Sequence, residues 1–328
     1  MDSTAKLSIS SQRLSVYTVR MIINTGSRTD IPAFFSTWFF NRLHAGWVCV
    51  RNPYNPGQVT RYRLEPDVVD AIVFCTKNPT PMLERLGEID AFGQIWHVTI
   101  TPYGREIEPF VPPWEAMAES LLCLSEKLGS DAVAWRCDPI FLTEKYTEDV
   151  HLRFFDTMCR RLAGACSQVV VSFIDLYQKT KKNFAGICAV PMAAQQRMIR
   201  AMDAIAGEYH MQIHLCCESS SLAGAHTDAG GCLSKDAVEH AIGWPLSVPS
   251  RRPARKECSC LLGADIGVYN TCGHGCRYCY ANYDARLVQR NLRMHDPASP
   301  FLLGHARLGD HVHDAVQTSW KEMQLKLF

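Results

Sequence analysis

Three cysteines near the end of the chain form the pattern most able to do chemistry. Cys272, Cys276 and Cys279 have the spacing CxxxCxxC, and Tyr278 stands directly before the last of them. Three thiolates at this spacing could bind three irons of a cubane cluster and leave the fourth iron open. A fully ligated cluster would need a fourth cysteine nearby, and structural zinc sites more often show paired CxxC motifs. The spacing therefore favours an iron–sulfur site, with zinc as the alternative.

A second group of cysteines comes from separated segments. Cys216 ends a predicted strand, Cys232 follows two glycines, and Cys258 and Cys260 precede the next predicted strand. Strand alternation places Cys216 on a polar face and its neighbour Cys217 on the apolar face, so Cys216 is the better ligand candidate. These four cysteines predict an auxiliary 4Fe-4S cluster, and zinc is the alternative.

The first group of cysteines resembles the signature of the radical S-adenosylmethionine (radical SAM) enzymes. Residues 272–281 read CGHGCRYCYA, which is similar to the spore photoproduct lyase-like branch of that superfamily. Nearly the whole chain also resembles an uncharacterised bacterial family known only as a domain of unknown function, DUF1848. The segments that carry this second likeness are residues 28–32, 76–79, 135–136 with 138–139, 172–173 with 175–177, 265–267 and 295–297.

The radical SAM resemblance implies a mechanism and a set of cofactors. The open iron of a 4Fe-4S cluster would bind the amino and carboxylate groups of S-adenosylmethionine. One electron would cleave the sulfonium bond, and a 5′-deoxyadenosyl radical would take a hydrogen from a small-molecule or peptide substrate. Tyr278 would line the adenine, although packing against the barrel wall is its simpler role. The electron donor would be of the flavodoxin or ferredoxin type.

Short β-rich runs alternate with amphipathic helical stretches, which is the pattern of βα units on a parallel sheet. This pattern predicts an α/β fold, a TIM-like (β/α) barrel that is complete or partial. Residues 47–63 predict an inserted β-hairpin. Pro112 and Pro113 open a predicted helix that stops at Gly129, Thr147 can cap the next, and another helix is expected near 281–292. The strand candidates are residues 19–24, 71–75, 95–101, 132–136, 168–174, 211–216 and 266–269.

The order of these parts predicts a circular permutation. In most radical SAM enzymes the cysteine loop follows the first strand, whereas only 49 residues follow Cys279 here. The other strands must therefore come earlier, and strand 266–269 should lie beside strand 19–24. The predicted plan is an N-terminal lead (1–18), a barrel body (19–250) and a cysteine-rich segment that completes the barrel and ends in a tail (251–328).

Polar residues follow the predicted strands, at the end where such barrels place their sites. Any one of them is more often an ordinary loop residue, but together they favour a site. The cations would suit carboxylate or phosphate groups, and the carboxylates could bind ribose or ammonium groups or move protons. The catalytic candidates are Arg28, Asp30, Lys77, Arg136, Asp138, Asp175 and Glu218, and the cofactor-binding candidates are Asn78 and Ser172.

Composition limits the partners. The 328 residues carry a formal net charge of +1, so no global field attracts nucleic acid or an anionic membrane. The sequence predicts neither a signal peptide nor a membrane span, and a cytoplasmic protein is expected. Fifteen cysteines in that reducing compartment predict metal binding or packing rather than disulfides.

Two weaker signals and two rival functions complete the sequence-based hypotheses. The basic run Arg251, Arg252, Arg255 and Lys256 predicts a solvated linker rather than a phosphate or nucleic-acid contact. Residues 305–313, with three histidines, predict an exposed helix start rather than a metal site.

One rival function is that of a non-catalytic iron–sulfur or zinc protein. The other is a nucleic-acid repair enzyme like the lyase branch, which the near-neutral charge does not favour.

Overall fold

The computed structural model describes residues 21–249, 258 and 260–322. The predicted N-terminal lead and the basic run of residues 251–256 lie outside the described residues. The strands are β1 (Ile22–Asn24), β2 (Trp47–Arg51), β3 (Gln58–Arg63), β4 (Ala71–Thr76), β5 (Gly93–Thr99), β6 (Val133–Ile140), β7 (Gln168–Phe173), β8 (Gln212–Leu215), β9 (Thr227–Asp228), β10 (Ala264–Asp265) and β11 (His311–Asp314).

The helices begin and end largely where the sequence predicts. Thr147 caps the helix that follows it by accepting from Val150 N at 3.3 Å, and Gly129 ends the preceding helix. Short 3₁₀ segments cover Thr80–Ile89, Ser130–Ala132 and Ser220–Leu222. The helices are α1 (Ile31–Phe34), α2 (Ser36–Ala45), α3 (Trp114–Leu128), α4 (Glu148–Leu162), α5 (Gln178–Asn183), α6 (Met192–Glu208), α7 (Lys235–Ile242) and α8 (Ala285–Leu292).

Eight strands form one parallel sheet in the order β10-β1-β4-β5-β6-β7-β8-β9. The first strand therefore lies beside the strand before the cysteines, with Ile23 opposite Ala264 and Asn24 opposite Asp265. This confirms the predicted neighbours, although the strand ends at Asp265 and residues 266–269 are not part of it. The chain turns away there because Asp265 Oδ1 accepts from Gly267 N at 2.7 Å, which closes a local turn instead of a strand ladder.

The fold is α/β as predicted, but the large sheet is not closed into a complete barrel. In the described part of the chain, β9 and β10 are its two edges and do not pair with each other. Both are only two residues long. Such short strands offer few ladder hydrogen bonds, so they cannot carry the sheet round to closure.

The two faces of the sheet pack against different layers. In β4, Ile72 and Phe74 point into the apolar core under the helices, where Phe74 stacks on Trp96 at a centroid distance of 4.1 Å. The alternate residues Ala71 and Val73 face a second core. This second core contains Leu233, Val238, Leu246, Leu261 and Trp320. Segments from the C-terminal third, including α7, therefore cover the face opposite α2, α3, α4 and α6.

The predicted hairpin exists, but it belongs to a three-stranded sheet. β2 and β3 pair antiparallel, and β11 adds a parallel strand on β3. His311 and His313 therefore lie on a strand, and the helix predicted after His305 is wrong. Parallel pairing holds this segment extended, with Thr60 Oγ1 3.0 Å from His313 Nε2. Arg51 adds an ion pair to Asp310 just before the strand.

The last helix starts later than predicted, at Ala285, because Asp284 caps it by accepting from Leu287 N at 2.8 Å. Among the described residues, none of the helices is both long enough and apolar enough to cross a lipid bilayer.

Candidate functional site

The cysteine loop, residues 270–282, connects β10 to α8 and carries Cys272, Cys276 and Cys279, all partly exposed. Its second half is a tight turn in which Cys279 N donates to Cys276 O at 3.1 Å. Asn282 Nδ2 donates to Cys272 O at 2.8 Å and joins the two ends. Burial raises the pKa of Cys272, and the charges of Asp30, Cys279 and Cys276 raise it further. The three thiols therefore lie within electrostatic reach of one another.

A buried carboxylate holds the cysteine loop at the carboxyl edge of the sheet. Asp30, after β1, accepts from His274 at 2.9 Å and from Thr76 Oγ1 at 2.6 Å. It also accepts from Lys77 N at 2.8 Å and from Ala33 N at 3.0 Å. Asp30 was predicted as a catalytic residue, but these donors occupy both of its oxygens. Its position is that of an anchor between two strand ends and the loop.

Two glycines let the cysteine loop pack closely. A Cβ atom at Gly273 would lie 2.7 Å from the ring of Phe34, whose centroid is 4.7 Å from that of His274. Gly275 has a φ of +71°, and a Cβ there would lie 3.2 Å from Phe110. The loop therefore fits between α1 and the segment after β5 without room for larger residues.

Glu108 is the residue that sequence reasoning missed. This buried carboxylate lies in the segment after β5 and accepts through one oxygen from Lys77 Nζ at 2.9 Å and Thr101 Oγ1 at 2.9 Å. The hydroxyl of Tyr278 donates to the same oxygen. An acidic residue flanked by Ile107 and apolar neighbours was the available signal, because such a carboxylate rarely lies buried without partners.

Lys77 and Tyr278 meet at Glu108 and face the cysteine loop. Burial disfavours the charged Lys77, but the neighbouring Glu108 and Cys276 raise its pKa above the ordinary value, so it is a cation. Burial raises the pKa of Tyr278, which stays a neutral phenol. The Tyr278 ring lies 6.0 Å from that of Tyr103, within a small aromatic cluster. Packing is therefore an observed role of Tyr278, while its adenine contact stays a prediction.

Arg28 lies where β1 meets β10. Asp265 accepts from Ser27 N at 2.9 Å, and Arg28 Nε is 3.6 Å from the same carboxylate. Arg28 Nη1 also donates to Gly267 O at 3.4 Å. Burial raises the pKa of Asp265, and Arg28 opposes that shift. Arg28 thus links the segment after β1 to the segment after β10, which leads into the cysteine loop.

Arg136 and Asp138, both on β6, form a partly buried bidentate ion pair at 3.0 Å and 2.5 Å. Ser172 Oγ donates to Asp138 at 3.4 Å. The remaining guanidinium nitrogen of Arg136 is 3.4 Å from Cys232 Sγ and 3.3 Å from His97 Nδ1. Burial lowers the pKa of His97 to about 3, so its imidazole is neutral and can accept from Arg136. The pair therefore faces the second set of cysteines.

The interior cysteine group is Cys216, Cys232, Cys258 and Cys260, whose thiols contact one another in pairs, while their role as metal ligands stays a prediction. Cys232 Sγ lies 3.7 Å from Cys260 Sγ. The thiol of Cys216 hydrogen-bonds with that of Cys232, and the thiol of Cys258 with that of Cys260. Cys216, Cys232 and Cys260 pack in the second core, with Cys75 beside them. Hydrogen bonding from Cys232 lowers the pKa of Cys260 to about 6.

Cys217 departs from the prediction that it turns away into the apolar layer. Its thiol hydrogen-bonds with that of Cys216 and is the main cause of the lowered pKa of Cys216. β8 ends at Leu215, and Cys217 has a φ of +60°. Strand alternation therefore stops before this pair, and the left-handed backbone turns the Cys217 side chain back toward the group.

Three predicted residues lie apart from these contacts. Asp175 is exposed and accepts from the hydroxyl of Tyr177 at 3.1 Å. Glu218 accepts from Phe173 N at 2.7 Å and so holds the ends of β7 and β8 together. Asn78 closes a local turn by accepting from Thr80 N at 3.2 Å. Each of these contacts is a structural one.

Both cysteine groups have the donor chemistry of a metal centre. Sulfur is a soft donor that suits iron–sulfur clusters and zinc. In the cysteine loop, Ala281 N donates to Cys279 Sγ at 3.3 Å, the type of contact that tunes a bound cluster. Over the described residues, no three His, Cys, Asp or Glu side chains are placed to share a single metal ion. A cubane binds each cysteine through a different iron, so it does not require three thiols around one ion.

Comparison with known proteins gives a family. The family described as a domain of unknown function, DUF1848, matches residues 22–281. No curated protein and no solved structure matches the chain. The match covers all eight strands of the large sheet and the cysteine loop as far as Ala281. The chain therefore belongs to the DUF1848 family.

Proposed function

We propose that this protein is a radical SAM enzyme whose catalytic 4Fe-4S cluster is held by Cys272, Cys276 and Cys279. The observation that carries the proposal is the contact of His274, inside the cysteine loop, with buried Asp30 at 2.9 Å. That contact fixes three thiols at the carboxyl edge of a parallel sheet, where α/β folds bind their ligands.

The chain's own residues would prepare this site in distinct ways. When bound, the cluster would supply the electron that cleaves S-adenosylmethionine and so starts radical chemistry on the substrate. Lys77 is a partly buried cation next to the loop and suits an anionic group, while Glu108 keeps it charged. Asp30 and Arg28 position the loop. Tyr278 offers an aromatic surface whose hydroxyl is fixed by Glu108.

We propose, on the same basis, that the sheet is a partial barrel permuted relative to other radical SAM enzymes. The parallel pairing of β1 with β10 supports this, because it puts the last strand of the sheet beside the first. The substrate would be a small molecule or peptide. The donor would be a flavodoxin- or ferredoxin-type protein, and the cytoplasm would be the compartment that keeps these thiols reduced.

The interior cysteine group would hold a second metal centre. We propose an auxiliary 4Fe-4S cluster there, with zinc as the alternative, because thiolates suit both. The 3.7 Å between Cys232 Sγ and Cys260 Sγ supports a shared site for two of the four sulfurs only, since no three side chains of the described residues are placed around a single ion. The second candidate function is a protein in which the metals serve only folding or electron transfer.

Anaerobic reconstitution with iron and sulfide, followed by dithionite and S-adenosylmethionine, tests the proposal. We expect 5′-deoxyadenosine from the wild-type protein and none from the triple variant Cys272→Ala/Cys276→Ala/Cys279→Ala. The matched control is Cys123→Ala/Cys188→Ala, which changes two exposed cysteines outside both groups. Product from the triple variant, or no product from a wild-type protein that carries its cluster, would reject the proposal. A salt-dependent DNA-binding assay would separate the repair-enzyme rival.

A further inference from the structure

A surface beside the cysteine loop collects basic side chains from three segments. Arg277 is in the loop itself, and the others come from α5 before it and α8 after it. The end of α5 touches the loop, because Asn183 Nδ2 donates to Asn282 O at 3.3 Å and Thr180 Oγ1 to Tyr278 O at 3.2 Å. We call this surface the basic patch, and its members are Lys179, Lys181, Lys182, Arg277, Arg286 and Arg290.

Ion pairing separates the basic patch from many other exposed cations of the described chain. Arg61, for example, pairs with Asp314, and Arg197 pairs with Glu148. Among the described residues, no member of the patch forms an ion pair with a carboxylate. Arg286 and Arg290 are exposed and lie four residues apart on α8, an arrangement of like charges that slightly disfavours the helix. Such a local surplus, in a chain of net charge +1, fits an external anion.

The aromatic side chains of the patch distinguish between anionic partners. Lys182 Nζ lies 3.9 Å above the Tyr283 ring, and Lys179 Nζ lies 4.9 Å above that of Tyr269. A surface for single-stranded nucleic acid presents open aromatic faces on which bases stack. Here the protein's own lysines cover one face of each ring, so the patch presents charge rather than stacking platforms. A folded protein with an acidic surface fits this chemistry better.

We infer that the basic patch is the docking surface for an acidic electron-transfer protein, a flavin or iron–sulfur carrier of one electron. This inference rests on the proposed function and names the partner surface of the same site. Docking would bring the carrier against Arg277 and the partly exposed Cys276 and Cys279. Each encounter would oxidise the carrier by one electron and deliver that electron to the loop's cluster, and no atom or proton would be transferred.

The test is the charge-reversal variant Lys181→Glu/Arg286→Glu/Arg290→Glu, whose three side chains are exposed. Binding of a bacterial flavodoxin to the reconstituted proteins is measured by calorimetry at about 50 mM and about 500 mM KCl. We expect the wild-type affinity to weaken with salt and the variant to raise the Kd at least about tenfold at low salt. The control variant Arg153→Glu/Arg160→Glu/Arg200→Glu changes three exposed arginines of α4 and α6 and should stay within about twofold.

A second readout separates this inference from the proposed function. Dithionite needs no docking surface, so dithionite-driven formation of 5′-deoxyadenosine should be the same in the patch variant and the wild type. Formation driven by reduced flavodoxin should fall by about the factor found for the Kd. If wild-type protein makes no 5′-deoxyadenosine with dithionite, the proposed function fails, but the Kd comparison still decides the docking surface.

Three results would overturn the inference. The first is a flavodoxin Kd that the patch variant does not change, and the second is an equal loss in the control variant. The third is salt-dependent binding of a single-stranded oligonucleotide that the patch variant loses while flavodoxin binding persists, which would assign the patch to nucleic acid.

Discussion

The cysteine loop and the interior cysteine group both bring several thiols together, but they do so in different ways. The loop draws its three sulfurs from eight consecutive residues, and its position is set by polar contacts from Asp30 and Asn282. The interior group draws its sulfurs from separated segments that an apolar core brings together. Its sulfurs touch, at 3.7 Å for Cys232 and Cys260, and Arg136 approaches them. Local spacing therefore defines the first group, and tertiary packing defines the second.

This difference shows which of the two groups could be identified from the sequence alone. The spacing of a CxxxCxxC loop already identifies its candidate ligands, so the fold has only to set the position of the loop. Four distant cysteines become one group only through β8, β10 and the segments between them. Cys217 could not be assigned from sequence for this reason, because its left-handed backbone places a fifth thiol in the group.

Removing a cysteine of one group and counting the bound metals tests most directly whether the two groups are separate sites. Cys258→Ala or Cys260→Ala should abolish the second centre, because each removes a sulfur from a group of four, and should leave the loop's iron in place. Two cubanes correspond to about eight irons per chain, and one cubane with zinc to about four irons and one zinc. The measurement is elemental analysis after anaerobic purification, with Cys188→Ala as the control. Full metal content in both variants would reduce the interior group to packing.

The next test loosens the cysteine loop without touching a sulfur. His274→Ala removes the donor to Asp30 and should lower iron affinity at the loop by about 10–100-fold, as loss of outer-shell partners does. His274→Gln keeps a donor and should recover part of the loss. Competition with an iron chelator measures the effect, and the interior metal serves as the internal reference. Equal loss of both metals would show general unfolding instead.

Sequence predicted the strand neighbours better than the side-chain contacts. The pairing of β1 with β10 followed from the radical SAM resemblance together with chain order, because the predicted barrel strands all precede the cysteine loop. Glu108 was missed because its partners Lys77, Thr101 and Tyr278 come from three other segments. β9 was missed because two residues carry no periodicity, so the sequence left open whether the barrel was complete or partial.

Arg136→Lys addresses the interior group and should have a smaller effect. Lysine keeps a positive charge but cannot reach Asp138 through two bonds and Cys232 through a third nitrogen. We expect the affinity of the interior metal to fall by about tenfold, as for other outer-shell changes, with the loop iron unchanged. Metal competition checks this, and Arg153→Lys on exposed α4 is the matched control. A loss confined to the loop iron would contradict the assignment of Arg136 to the interior group.

The smallest expected effect separates the two roles of Tyr278. Tyr278→Phe removes only the hydroxyl that donates to Glu108, which keeps Lys77 and Thr101 as partners. The ring and its packing beside Tyr103 are retained, so the Kd for S-adenosylmethionine should change by less than about threefold, because the aromatic face offered to the adenine is unchanged. Tyr278→Ala also removes the ring and, if that ring contacts the adenine, should weaken binding by at least about tenfold. Calorimetry on reconstituted protein measures both, and the thermal melting temperature reports packing separately. If Tyr278→Ala lowers the melting temperature but leaves the Kd unchanged, Tyr278 serves packing alone and the adenine contact must lie elsewhere.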